Sequence, residues 1–444
     1  MLVEFSVENF MSIKDRVTLS MVASADKSHQ ENTMEGEGLP AGVRLLRSAG
    51  IYGANASGKS NVVMGLRTLR RMVTESASKM QKGDVVPVRP FRLDPATVSA
   101  PSVFEVVFLT GGQRYTYGFA ATRERVHEEW LLASSKRSRT LFERLPDGSV
   151  HFGGSWRGER LRLQNATRPN ALLLSVAVQL NNPTAQPVFD WIAKGMRVIS
   201  DEPETQSEMA YTMDLLVHNE DFPAFFDGFV RASDLGIDRV KVEERPVTED
   251  SLRAILREGQ VGDEQIDVTV AEILSSIPEG KEAKLPWPTT VHRDSDGAEI
   301  AFLPSRDESA GTQRLLALAG PWFHVIREGC VLLIDELEAK LHPLMTRFLV
   351  DRIHGAPRPA QLVFTTHDSS LLDPDLFRRD QIWFTEKDGG GATQLYSLAE
   401  FKARRDENFR AGYLHGRYGA VPFIGDFRFE QEDADKQEPV SATD

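Results

Sequence analysis

Gly53-Ala54-Asn55-Ala56-Ser57-Gly58-Lys59-Ser60 reads GxxxxGKS, and its residue types suit one task, holding phosphates. Glycines let backbone N–H groups fold around an anion, and a helix beginning at the lysine adds the positive end of its dipole. Such a loop predicts that Gly53, Asn55, Gly58 and Asn61 cradle the phosphates, that Lys59 reaches the β and γ groups, and that the Ser60 hydroxyl ligates Mg²⁺. A second constellation, Val331-Leu332-Leu333-Ile334-Asp335-Glu336, sends two carboxylates out of a buried parallel strand at its C-terminal end, where α/β sheets bind ligands. Asp335 is then placed to hold Mg²⁺, and Glu336 to polarise an attacking water, the positioning that phosphoryl transfer needs. The implied ligands are ATP and Mg²⁺.

Two further groups extend this chemistry. Glu308-Ser309-Ala310-Gly311-Thr312-Gln313 opens a helix, and Gln313 precedes Asp335 by 22 positions. Alone, Ser309 would be an ordinary helix cap. A Ser-x-Gly turn at this distance ahead of an acidic strand has the layout of an ABC-type signature, in which Ser309 and Gly311 contact the γ-phosphate held by a second copy. Gln361-Leu362-Val363-Phe364-Thr365-Thr366-His367 ends a buried strand in a histidine 32 positions beyond Asp335, where a switch histidine meets the γ-phosphate. Lys59, Glu336 and His367 are thus the expected catalytic groups. His342, in Leu341-His342-Pro343, falls where a dimer-contacting loop runs.

These groups need strands and helices to position them. Ala49-Gly50-Ile51-Tyr52 is a short buried strand running into Gly53, and Val62, Val63, Leu66, Leu69 and Val73 keep helical spacing after Ser60. Residues 88–155 change to two-residue alternation: Phe104, Val106 and Phe108 face Tyr115, Tyr117 and Phe119 across Thr110-Gly111-Gly112-Gln113, and Pro146-Asp147-Gly148 marks another turn. Val3–Val7 and Val17–Met21 also read as strands, with a loop over 26–42. Residues 186–289 are expected to form a mostly helical insertion, after which Asp296-Gly297 turns a hairpin back into the core. Residues 426–444 form an acidic tail that reads as disordered.

The acidic strand lies 276 positions after Lys59, far more than a simple RecA-like or AAA+ module allows, and the signature turn sits just upstream of the acids. The fold class that follows is α/β: an ABC-type P-loop NTPase core, discontinuous over 1–185 and 290–425, with an antiparallel β layer and a helical insertion.

The chain has 444 residues, 41% hydrophobic and 26% charged, enough for about three domains. No apolar run approaches the roughly 20 residues of a membrane helix, and the start lacks a signal-peptide h-region. A single cysteine, Cys330, excludes an internal disulfide and a paired-cysteine zinc site, which fits a reducing cytoplasm. A net charge of −13 argues against sequence-independent DNA binding by one copy. A basic groove built on dimerisation keeps nucleic acid open as a partner. Arg70-Arg71, Lys136-Arg137-Ser138-Arg139, Arg378-Arg379 and Arg404-Arg405 are the local basic groups.

Asn9-Phe10-Met11-Ser12, GANASGKSN, ESAGTQ, LLIDELEAKLHP and FTTHD resemble the SMC/RecF-related ATPases. More narrowly they resemble bacterial AAA15-type ATP-binding proteins, the group that includes the ATPase of AbiL-type abortive-infection systems. Pro90-Phe91-Arg92-Leu93, Pro169-Asn170-Ala171-Leu172-Leu173, Arg378-Arg379-Asp380-Gln381-Ile382 and the stretch from Tyr413 to Pro422 extend the match. The signature departs from the common Leu-Ser-Gly-Gly-Gln by carrying Glu308 ahead of Ser309, and Gln179 is the candidate Q-loop glutamine. OLD-type relatives carry a Toprim nuclease domain after the core, for which this sequence shows neither room nor an acidic cluster. The resemblance implies an ATPase that forms an ATP-dependent head-to-tail dimer or higher homo-oligomer and regulates an anti-phage system through a separately encoded effector, such as a Toprim- or RloB-like nuclease. The alternative is a RecF-like DNA-repair or chromosome-maintenance ATPase.

Overall fold

The computed structural model describes residues 1–135, 137–199, 202–258, 262–276, 283–401 and 407–422. The expected acidic tail, Arg404, Arg405 and Lys136 lie outside these residues. A six-stranded sheet forms the centre, in the order Met196–Ile199, Val331–Ile334, Gln361–Thr365, Ser48–Gly53, Ile382–Lys387 and Thr393–Ser397. The first five run parallel and the last is antiparallel to its neighbour. Val331–Ile334 and Ser48–Gly53 are buried at every position, as a strand covered on both faces must be.

A seven-stranded antiparallel sheet forms a second layer. Phe104, Val106 and Phe108 pair with Phe119, Tyr117 and Tyr115, the partners that the alternation predicts, and Gly111 and Gly112 both take positive φ in the tight turn between them. Leu2–Glu8 and Val17–Ser20 complete this layer, so it begins at the N-terminal strands and is not confined to 88–155. Helix Lys59–Glu75 lies between the two sheets. Its buried Val62, Val63, Leu66, Leu69, Met72 and Val73 share one core with Phe5, Phe108 and Val363.

Helices Glu202–His218, Ala310–Glu328 and Pro343–His354 cover the other face of the parallel sheet. Ala310–Glu328 contains Pro321, which cannot donate to the Ala317 carbonyl. The Thr212 hydroxyl of the neighbouring helix donates to that carbonyl at 2.9 Å and accepts from the Gly320 N–H at 3.1 Å. The break in one helix is thereby satisfied by the other.

The expected insertion at 186–289 differs in two ways. Met196–Ile199 pairs with Val331–Ile334 as the edge of the central sheet, so the core extends past residue 185. The remainder is mixed: helices alternate with a three-stranded sheet of Arg239–Pro246, Lys284–Arg293 and Glu299–Phe302. The Asp296-Gly297 turn closes a hairpin within that small sheet and does not return directly to the core.

Candidate nucleotide site

The phosphate loop leaves the C-terminal end of Ser48–Gly53 and enters helix Lys59–Glu75, whose first turn has no side-chain cap. No side chain therefore competes with an anion for its leading N–H groups, although the Asn61 N–H donates to the Gly58 carbonyl at 3.0 Å. Gly58 has φ 107°, and a Cβ there would stand 2.1 Å from Thr393 Oγ1; glycine is required by both conformation and space. Lys59 is buried, and its ammonium donates to the Gly53 and Ala54 carbonyls at 3.0 and 3.1 Å. Burial pulls its pKa below the usual lysine value, against the raising fields of Glu338, Asp335 and Glu336.

A hydroxyl frame fixes the loop from outside. Ser57 Oγ and Thr385 Oγ1 are 2.6 Å apart, and Thr393 Oγ1 donates to the Ser57 carbonyl at 2.8 Å. Ser12 Oγ lies 2.7 Å from Thr393 Oγ1 and accepts from Asn61 Nδ2 at 2.5 Å. One short chain of polar contacts thus joins the loop to the last two strands of the central sheet and to the turn between Leu2–Glu8 and Val17–Ser20.

The acidic strand and the phosphate-loop strand flank Gln361–Thr365. From that middle strand Thr365 Oγ1 donates to Asp335 Oδ1 at 2.5 Å and accepts from the Glu336 N–H at 2.8 Å. Glu336 is exposed and holds φ 51°, a left-handed conformation uncommon outside glycine. Glu338 Oε1 accepts from the His367 N–H at 2.5 Å, while the His367 residue is exposed. Lys59, Ser60, Asp335, Glu336 and His367 therefore follow the C-terminal ends of three adjacent parallel strands.

Ser309 and Gly311 stand elsewhere on the chain. Ser309 Oγ caps helix Ala310–Glu328 by accepting from the Thr312 N–H at 3.1 Å, and the residue is exposed. A Cβ on Gly311 would lie 2.7 Å from the Lys340 carbonyl, so the turn packs against the segment that follows the acids. His342 caps helix Pro343–His354 at its exposed N-terminus, accepting from the Leu344 N–H at 3.3 Å. Gln179 is exposed at the end of helix Leu173–Gln179. Residues not singled out from sequence are Thr365, Glu338, Thr385 and Thr393. The first two sit inside FTTHD and DELE, where adjacency to chosen residues was the available signal; Thr385 and Thr393 belong to late strands with no motif.

The donor set fits a magnesium nucleotide. A buried lysine, uncapped helix N–H groups and a glycine held against Thr393 form a phosphate cradle, and the Ser60 hydroxyl and Asp335 carboxylate are hard oxygen donors of the kind Mg²⁺ takes.

Arg378-Arg379 and Arg70-Arg71 have other work. Arg378 pairs with Asp380 and donates to the Ser24, Asp26 and Ser28 carbonyls. Arg379 pairs with Asp26, Arg70 donates to the Ala193 carbonyl, and Arg71 pairs with Glu75. Among the described residues, no helix is long and apolar enough to cross a membrane.

No curated protein matches the sequence. Among solved structures, the chain is similar to an Smc head bound to the C-winged helix domain of ScpA, at 12% identity and a TM-score of 0.46, covering 89% of this chain and 97% of the other. It is also similar to the SMC head domain from Thermotoga maritima, at 11% identity and a TM-score of 0.38, covering 89% and 98%. A third is an Smc head with an extended coiled coil bound to the C-terminal domain of ScpA derived from Pyrococcus furiosus, at 12% identity, a TM-score of 0.36 and coverage of 89% and 96%. A family model described as "AAA domain, putative AbiEii toxin, Type IV TA system" matches residues 48–156 and 198–373, spanning the phosphate loop, the signature turn, the acidic strand and the His367 strand. With that match over most of its length, the chain belongs to this family of AAA-domain proteins.

Proposed function

We propose that the chain binds and hydrolyses ATP, and that two copies meeting head to tail complete each site. The gathering of Lys59, Ser60, Asp335, Glu336 and His367 at the C-terminal ends of three adjacent strands of the parallel sheet carries this reading. Lys59 leaves the Gly53 and Ala54 carbonyls for the β and γ phosphates, while Gly53, Asn55, Gly58 and Asn61 line their path. Ser60 and Asp335 would hold Mg²⁺, which would supply positive charge against the phosphates. Glu336 orients the attacking water, and His367 senses the γ-phosphate. Ser309, which is exposed, and Gly311, which is half-buried, close over the nucleotide of the second copy. Hydrolysis reopens the pair.

The cellular reading is a regulatory ATPase of a bacterial anti-phage system, AbiL-like in kind, which controls a separately encoded effector of the Toprim- or RloB-like nuclease class. The toxin description of the family and the abortive-infection resemblance support it. The test is the light-scattering mass of Glu336→Gln with and without Mg-ATP, beside Lys59→Ala and wild-type phosphate release. Doubling of mass in Glu336→Gln alone, on ATP addition, is expected; equal masses for both variants under both conditions overturn the composite site. Nuclease activity in the purified chain alone would overturn the separate-effector reading.

A further inference from the structure

We infer that Glu308, Thr290 and His292 are positioning residues for the signature turn, so that the small three-stranded sheet sets the geometry of the site it serves in the second copy. This rests on the composite-site reading above. Glu308 lies beside the exposed Ser309 and Ala310, yet its side chain is only 7% exposed. Its Oε1 accepts from Thr290 Oγ1 at 2.5 Å and from His292 Nε2 at 2.7 Å. Thr290 and His292 are alternate residues of Lys284–Arg293, so they share one face of that strand. The His292 ring packs on Phe302, 4.6 Å between centroids, from the strand beyond.

The backbone of the same residue is held as well: Gln313 Nε2 donates to the Glu308 carbonyl at 3.0 Å. Gly311 lies against Lys340 on the other side. A carboxylate adjoining a turn that must receive a triphosphate would repel it. Two donors from the sheet turn this carboxylate inward and neutralise part of its field, leaving Ser309 and Ala310 as the exposed part of the turn. The glutamate that departs from the common signature is thereby an anchor, and any displacement of the hairpin moves the turn.

The experiment is subunit mixing. Glu308→Ala is assayed alone and mixed with an equal amount of Lys59→Ala, with Ser309→Ala mixed likewise as the control. The expected result is a fall in kcat of roughly 10–100-fold for Glu308→Ala, the range typical of outer positioning groups, with nucleotide affinity of the isolated subunit unchanged. Mixing should restore activity up to about a quarter of the wild-type rate, the ceiling set by random pairing, in which half of the pairs are mixed and one of their two sites is intact. Glu308→Gln, which keeps an acceptor for Thr290 and His292, should stay within about threefold of wild type, and His292→Ala combined with Thr290→Val should behave as Glu308→Ala.

Restoration for Ser309→Ala but not for Glu308→Ala would overturn the anchor while leaving the composite site standing. Wild-type kcat in Glu308→Ala would do the same. Failure of the Ser309→Ala mixture would sink the composite site, and the anchor with it.

Discussion

Thr365 is a fully buried hydroxyl that serves two residues of the proposed site at once, donating to Asp335 and accepting from the backbone of Glu336. Valine has nearly the same shape and can do neither. Thr365→Val should therefore lower kcat by roughly 10–100-fold with little change in KM for ATP, and Thr365→Ser should restore most of the rate; steady-state phosphate release measures both. An unchanged kcat in Thr365→Val would remove Thr365 from the machinery. The strain at Glu336, φ 51°, belongs to the same arrangement, since its N–H is tied to the threonine in that conformation. At this scale the sequence was most legible where a motif joins residue type to fixed local spacing, as in Lys59 and Ser60. It was least legible where one side chain positions another across strands. Asn9 shows the reverse case, a residue in a motif of the resemblance whose work is structural: it donates to the Thr97 and Ala100 carbonyls and accepts from the Phe91 N–H.

Among elements, the segment Ser24–Ser28 depends on a clamp. Arg378 is 1% exposed and binds Asp380 together with three carbonyls of that segment. Removing one member of a buried pair leaves the other charge without compensation. Arg378→Met should cost about 3–5 kcal/mol of stability, read from the urea midpoint, while nucleotide affinity of the folded fraction stays as in wild type. A midpoint within experimental error of wild type would refute the clamp. The two elements that sequence periodicity overlooked have identifiable causes. Met196–Ile199 is a four-residue edge strand carrying Arg197, with only its ends buried, so it lacks the continuous apolar run of its neighbours. Lys284–Arg293 carries Pro286 and Pro288, which argue against a strand. Both prolines fall where the strand has a partner on one side only, so their missing donors cost no ladder bond. The hairpin 102–121 was legible because alternation and its Gly-Gly turn agree.

For the molecule as a whole, acid stability reports the joint between the central sheet and its covering helix. His354, 7% exposed, lies 2.8 Å from Ser48 Oγ at the start of the phosphate-loop strand and close to Gln381. Burial lowers its pKa to about 3, with the Arg47, His29 and Glu31 charges secondary. The unfolded chain, with an ordinary histidine, binds more protons below pH 6.5, so this group's contribution to stability is present near neutrality and falls as pH drops from 6.5 towards 3. The loss between pH 7 and pH 5 is about 2 kcal/mol from this residue. Buried Glu129, whose pKa burial raises, acts in the opposite sense, so the clean measurement is a difference. His354→Gln should show a pH 7 to pH 5 change in urea stability about 2 kcal/mol smaller than wild type; identical slopes would contradict the assignment.

The central sheet also has a consequence for synthesis. The strand leading to the phosphate loop is made early, but both its neighbours come late, and the Ser57–Thr385 contact spans 328 residues of chain. At about 5–20 residues per second, a ribosome exposes the loop for tens of seconds before any strand exists to fix it. For most of that interval the nascent chain lacks Asp335, Glu336 and His367. Translation interrupted before residue 335 therefore releases a fragment that carries the phosphate loop without the carboxylates of the acidic strand.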